Sequence, residues 1–205
     1  MLVPIMLNLT NKNVIIIGGG KIAERRITTL LNSNASITVI SPQVTPKIKR
    51  YIENKKVKWV NRPFTPNDLH EAFLVVVATD DTVINELVVE NAPTNALINV
   101  VEDAKQGNIQ FPANFKRGKL TIAVSTDGAS PILTKRIKDK LEAEYDENYE
   151  YYLDFLYEAR ALVKKSNLTK EEKREVLKEL VTDNFFDEKK QQDWITSFAN
   201  KGDLN

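Results

Sequence analysis

A chain of 205 residues is long enough for one sizeable core and an appendage. Its 29 Lys and Arg against 28 Asp and Glu leave a net charge of +1, which gives no electrostatic case for nucleic acid or a membrane surface as partner. Cysteine is absent, which excludes disulfides and thiolate metal sites and agrees with a reducing, cytoplasmic setting.

Residues 1–9 are apolar but short and lack a basic start, so they do not read as a secretory signal. No apolar run approaches the roughly 18–20 residues of a membrane span. Leu7 and Leu9 flank Asn8 in a half-buried pattern. Val14 to Ile17 then form a β-branched run of the kind found in a buried parallel strand.

Gly18, Gly19 and Gly20 follow at once, then Lys21, Ile22 and Ala23, which together read G-x-G-x-x-A. Gly18 suits a tight turn out of the strand, Gly20 a close approach of backbone to a pyrophosphate, and Ala23 close packing of the next helix. The helix start supplies unpaired N–H groups to phosphates. Such a pattern is weak alone, but here it lies between a strand signal and a helix signal. Glu24 to Leu31 reads as that helix, with Ile22, Ala23, Ile27, Leu30 and Leu31 on one face.

Ile37 to Ile40 is the second strand, and its tip reads Ser41-Pro42-Gln43. Sites for NAD commonly carry an acid about 20 residues past the glycines to bond the ribose. None stands here, although Ser41 and Gln43 have hydrogen-bonding side chains. A missing carboxylate leaves NADP open, and the absence of an arginine gives it no positive support.

Thr45 to Asn54 is a basic helix with Ile48 and Ile52 inward, and Val57 to Val60 a third strand. Asn67 to Ala72 is a short helix carrying His70, the only histidine, which reads as a surface residue. One histidine and no cysteine make no permanent metal site, so no metal ligands are assigned. Phe73 to Ala78 is the most apolar strand and ends in Thr79-Asp80-Asp81. Ligands lie at the carboxyl ends of strands in such sheets, so Thr79 and Asp80 are expected beside the cofactor; helix capping is the competing role for the aspartates. Val83 to Asn91 is a helix and Leu97 to Val101 a fifth strand, ending in Glu102-Asp103. The alternation of strands and helices implies a parallel sheet with right-handed crossovers.

After Phe111-Pro112 the pattern changes. Phe115 to Gly118 reads as a turn and Leu120 to Ser125 as a strand. Asp127 to Pro131 leads into a helix from Ile132 to about Tyr145, with Ser130 as N-cap and Pro131 at the first helical position. The loop amides with the hydroxyls of Ser125, Thr126 and Ser130 also suit an anion. Beyond Glu144 the chain reads as helices: an aromatic-rich one containing Tyr149, Tyr152 and Phe155, one over Leu168 to Val181 with a Thr169–Glu172 capping box, and a last short one marked by Trp194 and Phe198. The tyrosines read as helix packing. The expected fold is α/β: a Rossmann-like parallel-sheet domain over 1–112, a small α+β dimerisation and substrate segment over 113–146, and a helical C-terminal part over 147–205.

Four segments resemble the precorrin-2 dehydrogenase family, the dehydrogenase part of siroheme synthases. They are IIIGGGKIAERR from Ile15, VVATDDTVINELV from Val76, INVVEDAKQGNIQFPA from Ile98 and TIAVSTDGASPILTKRIKDKLE from Thr121. The last two lie outside the general dinucleotide fingerprint. The resemblance covers about residues 1–145 and implies oxidation of precorrin-2, a polycarboxylate tetrapyrrole, to sirohydrochlorin with NAD, in a cytoplasmic homodimer joined through the segment after the nucleotide domain. From the glycine pattern and the strand ends, Gly18, Gly19, Gly20, Lys21, Ile22, Ser41, Pro42, Gln43, Thr79 and Asp80 are expected at the cofactor. The family places a catalytic aspartate after Asn-Val-Val, where this chain has Glu102 and then Asp103; Asp103 is the expected base and Glu102 its rival. Ser125, Thr126, Ser130, Lys105 and Lys119 are expected to hold substrate carboxylates. Some relatives also insert iron, and a nucleotide-sensing domain shares the glycine pattern; both stay open as alternatives.

Overall fold

The computed structural model describes residues 2–202; the ends of the ranges given above, Met1 and 203–205, lie outside the described residues. Residues Met1–Phe111 and Pro112–Asn205 form two compact units. In the first, β1 (Asn13–Ile17) leads into α1 (Lys21–Leu30), β2 (Ser36–Ile40), α2 (Pro46–Glu53), β3 (Lys58–Val60), β4 (Leu74–Val77), α3 (Thr82–Asn91) and β5 (Leu97–Val100). All five strands are parallel, in the order β3-β2-β1-β4-β5. This is the α/β sheet that the alternation of elements implied.

β1 is central because both of its faces are covered. Val14 and Ile16 pack with Ala23 and Ile27 of α1 and Ile48 of α2. Ile15 and Ile17 face the other way, toward Val88 of α3 and Val75 and Val77 of β4. Each such fully buried Val or Ile contributes about 1.5–3 kcal/mol. The free edge of β5 is hemmed by Asn108, whose Oδ1 accepts from the Ile98 N–H at 2.7 Å and whose Nδ2 donates to the Ala96 carbonyl at 2.9 Å. That side chain occupies edge groups that would otherwise pair with another strand.

Several local expectations change. α1 begins at Lys21, three residues early, and Ile22 is 44% exposed while Ala23 and Ile27 are fully buried. Starting the helix at the glycines places Ile22 in its solvent-facing first turn. The short helix near His70 is a 3-10 turn over Pro66–Leu69, closed by a Thr65–Asp68 capping box.

The second unit opens with a hairpin, β6 (Ala113–Arg117) and β7 (Leu120–Val124), paired antiparallel with Phe115 opposite Ile122. The expected turn over Phe115–Gly118 is therefore mostly strand. Phe115 is 5% exposed, and the turn narrows to Gly118, at φ +51°, and Lys119. α4 (Pro131–Glu144), α5 (Asn148–Lys165), α6 (Lys170–Glu179) and α7 (Glu188–Gly202) follow. α7 runs 15 residues, longer than the short closing helix expected. Tyr152, Phe155, Ala159 and Leu180 form the core of this helical part, with Phe155 stacked on Phe185 at 5.3 Å. The buried Tyr152 hydroxyl donates to the Leu180 carbonyl at 2.8 Å, so this tyrosine packs, as its helical spacing suggested.

Candidate active site

The turn after β1 is fastened on both sides. The Gly18 N–H donates to the Ile40 carbonyl at 3.0 Å, and the Ala78 N–H to the Ile17 carbonyl at 2.8 Å. Gly18 has φ +107°, a conformation that favours glycine, and a side chain there would run into the Ala78 carbonyl. Gly19 lies against the Gln43 carbonyl and accepts from the Thr45 N–H at 3.0 Å. Gly20 differs from both: a β-carbon there would meet no protein atom within 4 Å. It is the N-cap of α1 and supplies no side-chain cap, whereas Thr45, Asp81 and Ser130 cap α2, α3 and α4. A helix start whose amides have no side-chain cap, with open space beside Gly20, fits a dinucleotide's diphosphate.

Other groups surround this turn. Lys21 Nζ is 3.6 Å from Glu24 Oε2 and almost wholly exposed. The Thr45 hydroxyl donates to Glu24 at 2.6 Å and holds that carboxyl below its usual range, helped by Lys21. Ser41, Pro42 and Gln43 form the loop after β2, where the Trp59 indole N–H fixes the Ser41 carbonyl at 2.9 Å. Gln43 and Pro42 are exposed. After β4, the Thr79 hydroxyl accepts from the Asp81 N–H at 3.0 Å, and Asp81 caps α3 through the N–H groups of Val83 and Ile84. Asp80 is exposed. Capping thus falls to Asp81, and the Asp80 side chain is left free for another role.

The acidic turn lies after β5 on the same edge. Glu102 and Asp103 line a cavity of about 240 Å³ with Thr82, Asn85, Glu86 and Gln106. Asp103 Oδ1 accepts from the Lys105 N–H at 2.9 Å, which folds the turn around it. Glu102 Oε2 accepts from the Asn85 amide at 3.2 Å. Two carboxylates at a cavity wall can accept a proton from a bound molecule. Asn85 had no signal of its own except being polar on the buried side of an otherwise apolar helix face.

Ser125, Thr126 and Ser130 meet in one loop of the second unit, where their hydroxyls are largely engaged. Ser125 Oγ accepts from the Asp127 N–H at 3.2 Å, Thr126 Oγ1 from the Ser130 N–H at 3.1 Å, and Ser130 Oγ from the Leu133 N–H at 3.2 Å. Lys119 is not with them. It occupies the hairpin turn at the opposite end of β7, roughly 16 Å along the strand, and is paired with Asp154.

A family described as NAD(P)-binding matches residues 5–113, the central family of sirohaem biosynthesis proteins matches 117–144, and the SirC C-terminal domain family matches 149–194. A precorrin-2 dehydrogenase of Priestia megaterium is 41% identical over 181 residues, spanning 88% of this chain and 90% of that one. One from Bacillus subtilis (strain 168) is 37% identical, over 78% of this chain and 98% of its own. The solved structure of SirC, a precorrin-2 dehydrogenase, superposes with a TM-score of 0.85 at 38% identity, covering 97% of this chain and all of the other. On its sequence and on its fold, the chain belongs to the precorrin-2 dehydrogenase family.

Proposed function

We propose that this protein oxidises precorrin-2 to sirohydrochlorin with NAD, as a cytoplasmic homodimer. The observation that carries the reading is the open space at Gly20 on an uncapped helix start, on the same sheet edge as the paired acids after β5. The relatives' shared activity supports the choice of substrate. Among the described residues no helix is long and apolar enough to cross a membrane.

Gly19 and Gly20, with Lys21 and Ile22, hold the diphosphate through backbone N–H groups and the Lys21 ammonium, while Gly18, whose N–H is bonded to the Ile40 carbonyl, shapes the turn beneath it. Ser41, Pro42 and Gln43 contact the adenosine ribose, where no carboxylate stands to repel or select. Thr79 and Asp80 line the way toward β5. When bound, the nicotinamide ring accepts the hydride. Asp103 takes the proton released with it, and Glu102 is the alternative base. In the second unit Ser125 and Ser130, whose hydroxyls accept from backbone N–H groups and keep their hydrogens, donate to substrate carboxylates, with Thr126 holding the loop in shape; Lys105 is a further proposed carboxylate partner. Lys119, committed to Asp154, is left out of that set.

The homodimer is supported by α4, where Ile132 is 84%, Leu133 47% and Ile137 37% exposed. Apolar side chains so placed on one helix suit a self-complementary contact.

The test is absorbance of purified protein with precorrin-2, with and without NAD. Conversion that requires NAD and yields NADH supports the proposal. A protein that binds no nicotinamide nucleotide and leaves the tetrapyrrole spectrum unchanged overturns it.

A further inference from the structure

Asn85 occupies a position on α3 that suits an apolar residue. It is 3% exposed, and Val88, one turn on, is fully buried. Its Nδ2 donates to the Thr79 carbonyl at 3.2 Å and to Glu102 Oε2 at 3.2 Å. A backbone carbonyl and a carboxylate are acceptors only, so these bonds use both amide hydrogens and fix which way the amide faces. Its Oδ1 is buried and has no partner among the described residues. Stability alone favours an apolar side chain of similar size there, since an unpaired buried acceptor is costly. A position that gives up stability in this way is expected where function needs it.

We infer that Asn85 is a positioning residue for the oxidation proposed above, acting through Glu102. Its amide ties the end of β4, at Thr79, to the turn after β5. It thereby holds the Glu102 carboxylate in one orientation at the cavity wall that Asp103 shares. A glutamate on an exposed turn otherwise samples many rotamers, and a reacting site gains rate from groups already in place. The inference rests on the proposed oxidation and adds to it a buried residue of the same cavity wall.

The test uses the full chain, with thermal unfolding, NAD affinity and precorrin-2 turnover measured on each variant. Asn85→Leu keeps the number and branching of the side-chain heavy atoms and removes the donor. Glu102→Asp keeps the acid and withdraws it from the amide. Each is expected to lower kcat about tenfold with NAD affinity unchanged, and the pair together about tenfold rather than a hundredfold. Asn85→Leu is also expected to unfold at the wild-type temperature or above, which a merely structural asparagine would not allow. Wild-type kcat in either variant, or losses that multiply in the double variant, overturns the inference while leaving the oxidation itself standing. If Asn85→Leu does not fold, Asn85→Ala decides, since it also removes the donor and leaves Glu102 intact: a tenfold loss of kcat with NAD affinity unchanged supports the role and full turnover removes it. A wild-type protein without turnover overturns both.

Discussion

Gly19 and Gln43 are in backbone contact: the place where a β-carbon at position 19 would go is taken by the Gln43 carbonyl oxygen, and Thr45 closes on Gly19 at 3.0 Å. The neighbouring Gly20 faces open space. Adjacent glycines in one motif therefore serve different ends, and substitution separates them. Gly19→Ala is expected to destabilise the protein by about 1–3 kcal/mol, because a backbone segment must move. Gly20→Ala is expected to leave stability unchanged or raise it by about 0.4–1 kcal/mol, yet weaken NAD binding about tenfold or more, a loss of at least about 1.4 kcal/mol. Thermal unfolding and a nucleotide titration read the two effects apart. Equal nucleotide affinity in Gly20→Ala would remove the diphosphate from this turn.

Trp59 offers a direct report on the ribose loop, since its indole N–H holds the Ser41 carbonyl. Added NAD is expected to change tryptophan emission, and the change should vanish in Trp59→Phe and persist in Trp194→Phe. Trp194 is partly buried against the core of the helical part of the second unit. A signal that follows Trp194 instead would move the ribose away from Ser41–Gln43.

The two acids are distinguishable by turnover. Asp103→Asn is expected to lower kcat by about 10²–10⁴, the range for loss of a general base. Glu102→Gln is expected to cost less, since it removes a charge but keeps an oxygen that accepts from Asn85 and leaves the base. The reverse order would make Glu102 the base. Near-normal turnover in both would show that neither acid takes the proton.

Asp68 predicts a pH dependence of stability. Its two carboxylate oxygens accept from Arg62 at 2.8 and 2.6 Å, and one also accepts from the Thr65 N–H at 2.8 Å. Arg62 is the main cause that holds the Asp68 carboxyl below its ordinary range. Because the folded-state value is depressed, the stabilisation is complete above the unfolded carboxylate value near 4 and is lost as pH falls through the folded value. Asp68→Asn is therefore expected to cost about 1 kcal/mol at pH 7, a figure held down by the half-exposed Arg62. The gap to wild type should narrow in denaturant melts below about pH 4. A gap that stays constant down to pH 2 would assign the loss to packing.

The exposed apolar face of α4 predicts the state of assembly. Wild-type protein is expected to sediment as a dimer and Ile132→Glu as a monomer with its secondary structure intact. A wild-type monomer at micromolar concentration would remove the homodimer from the proposal.

Much of the first unit was legible because burial on both faces writes itself into composition. The runs Val14–Ile17 and Leu74–Val77 have few other places to go than the middle of a parallel sheet, and both lie there. Caps were legible for a similar reason: Ser130, Thr169 and Asp81 satisfy helix amides only a few residues away. The strand at Ala113–Arg117 was not, since a single buried side chain, Phe115, gives no period to read. Nor was the edge-hemming role of Asn108, whose partners are Ile98 of β5 and Ala96 just before it.

The sequence by itself determined the order of strands and helices in the first unit, the glycine turn and its placement after the first strand, and the two adjacent acids after the fifth. These are local patterns, set by side-chain periodicity and by the conformations glycine allows. Only the tertiary structure decided that Gly19 is held by the loop at Gln43 while Gly20 stays open, that Lys119 is bound to Asp154 at the far end of its strand from Ser125, and that Asn85 grips Glu102 from beneath. Each of those depends on groups 17 to 35 residues apart in the chain meeting in space, and no spacing rule within a single element encodes such a meeting.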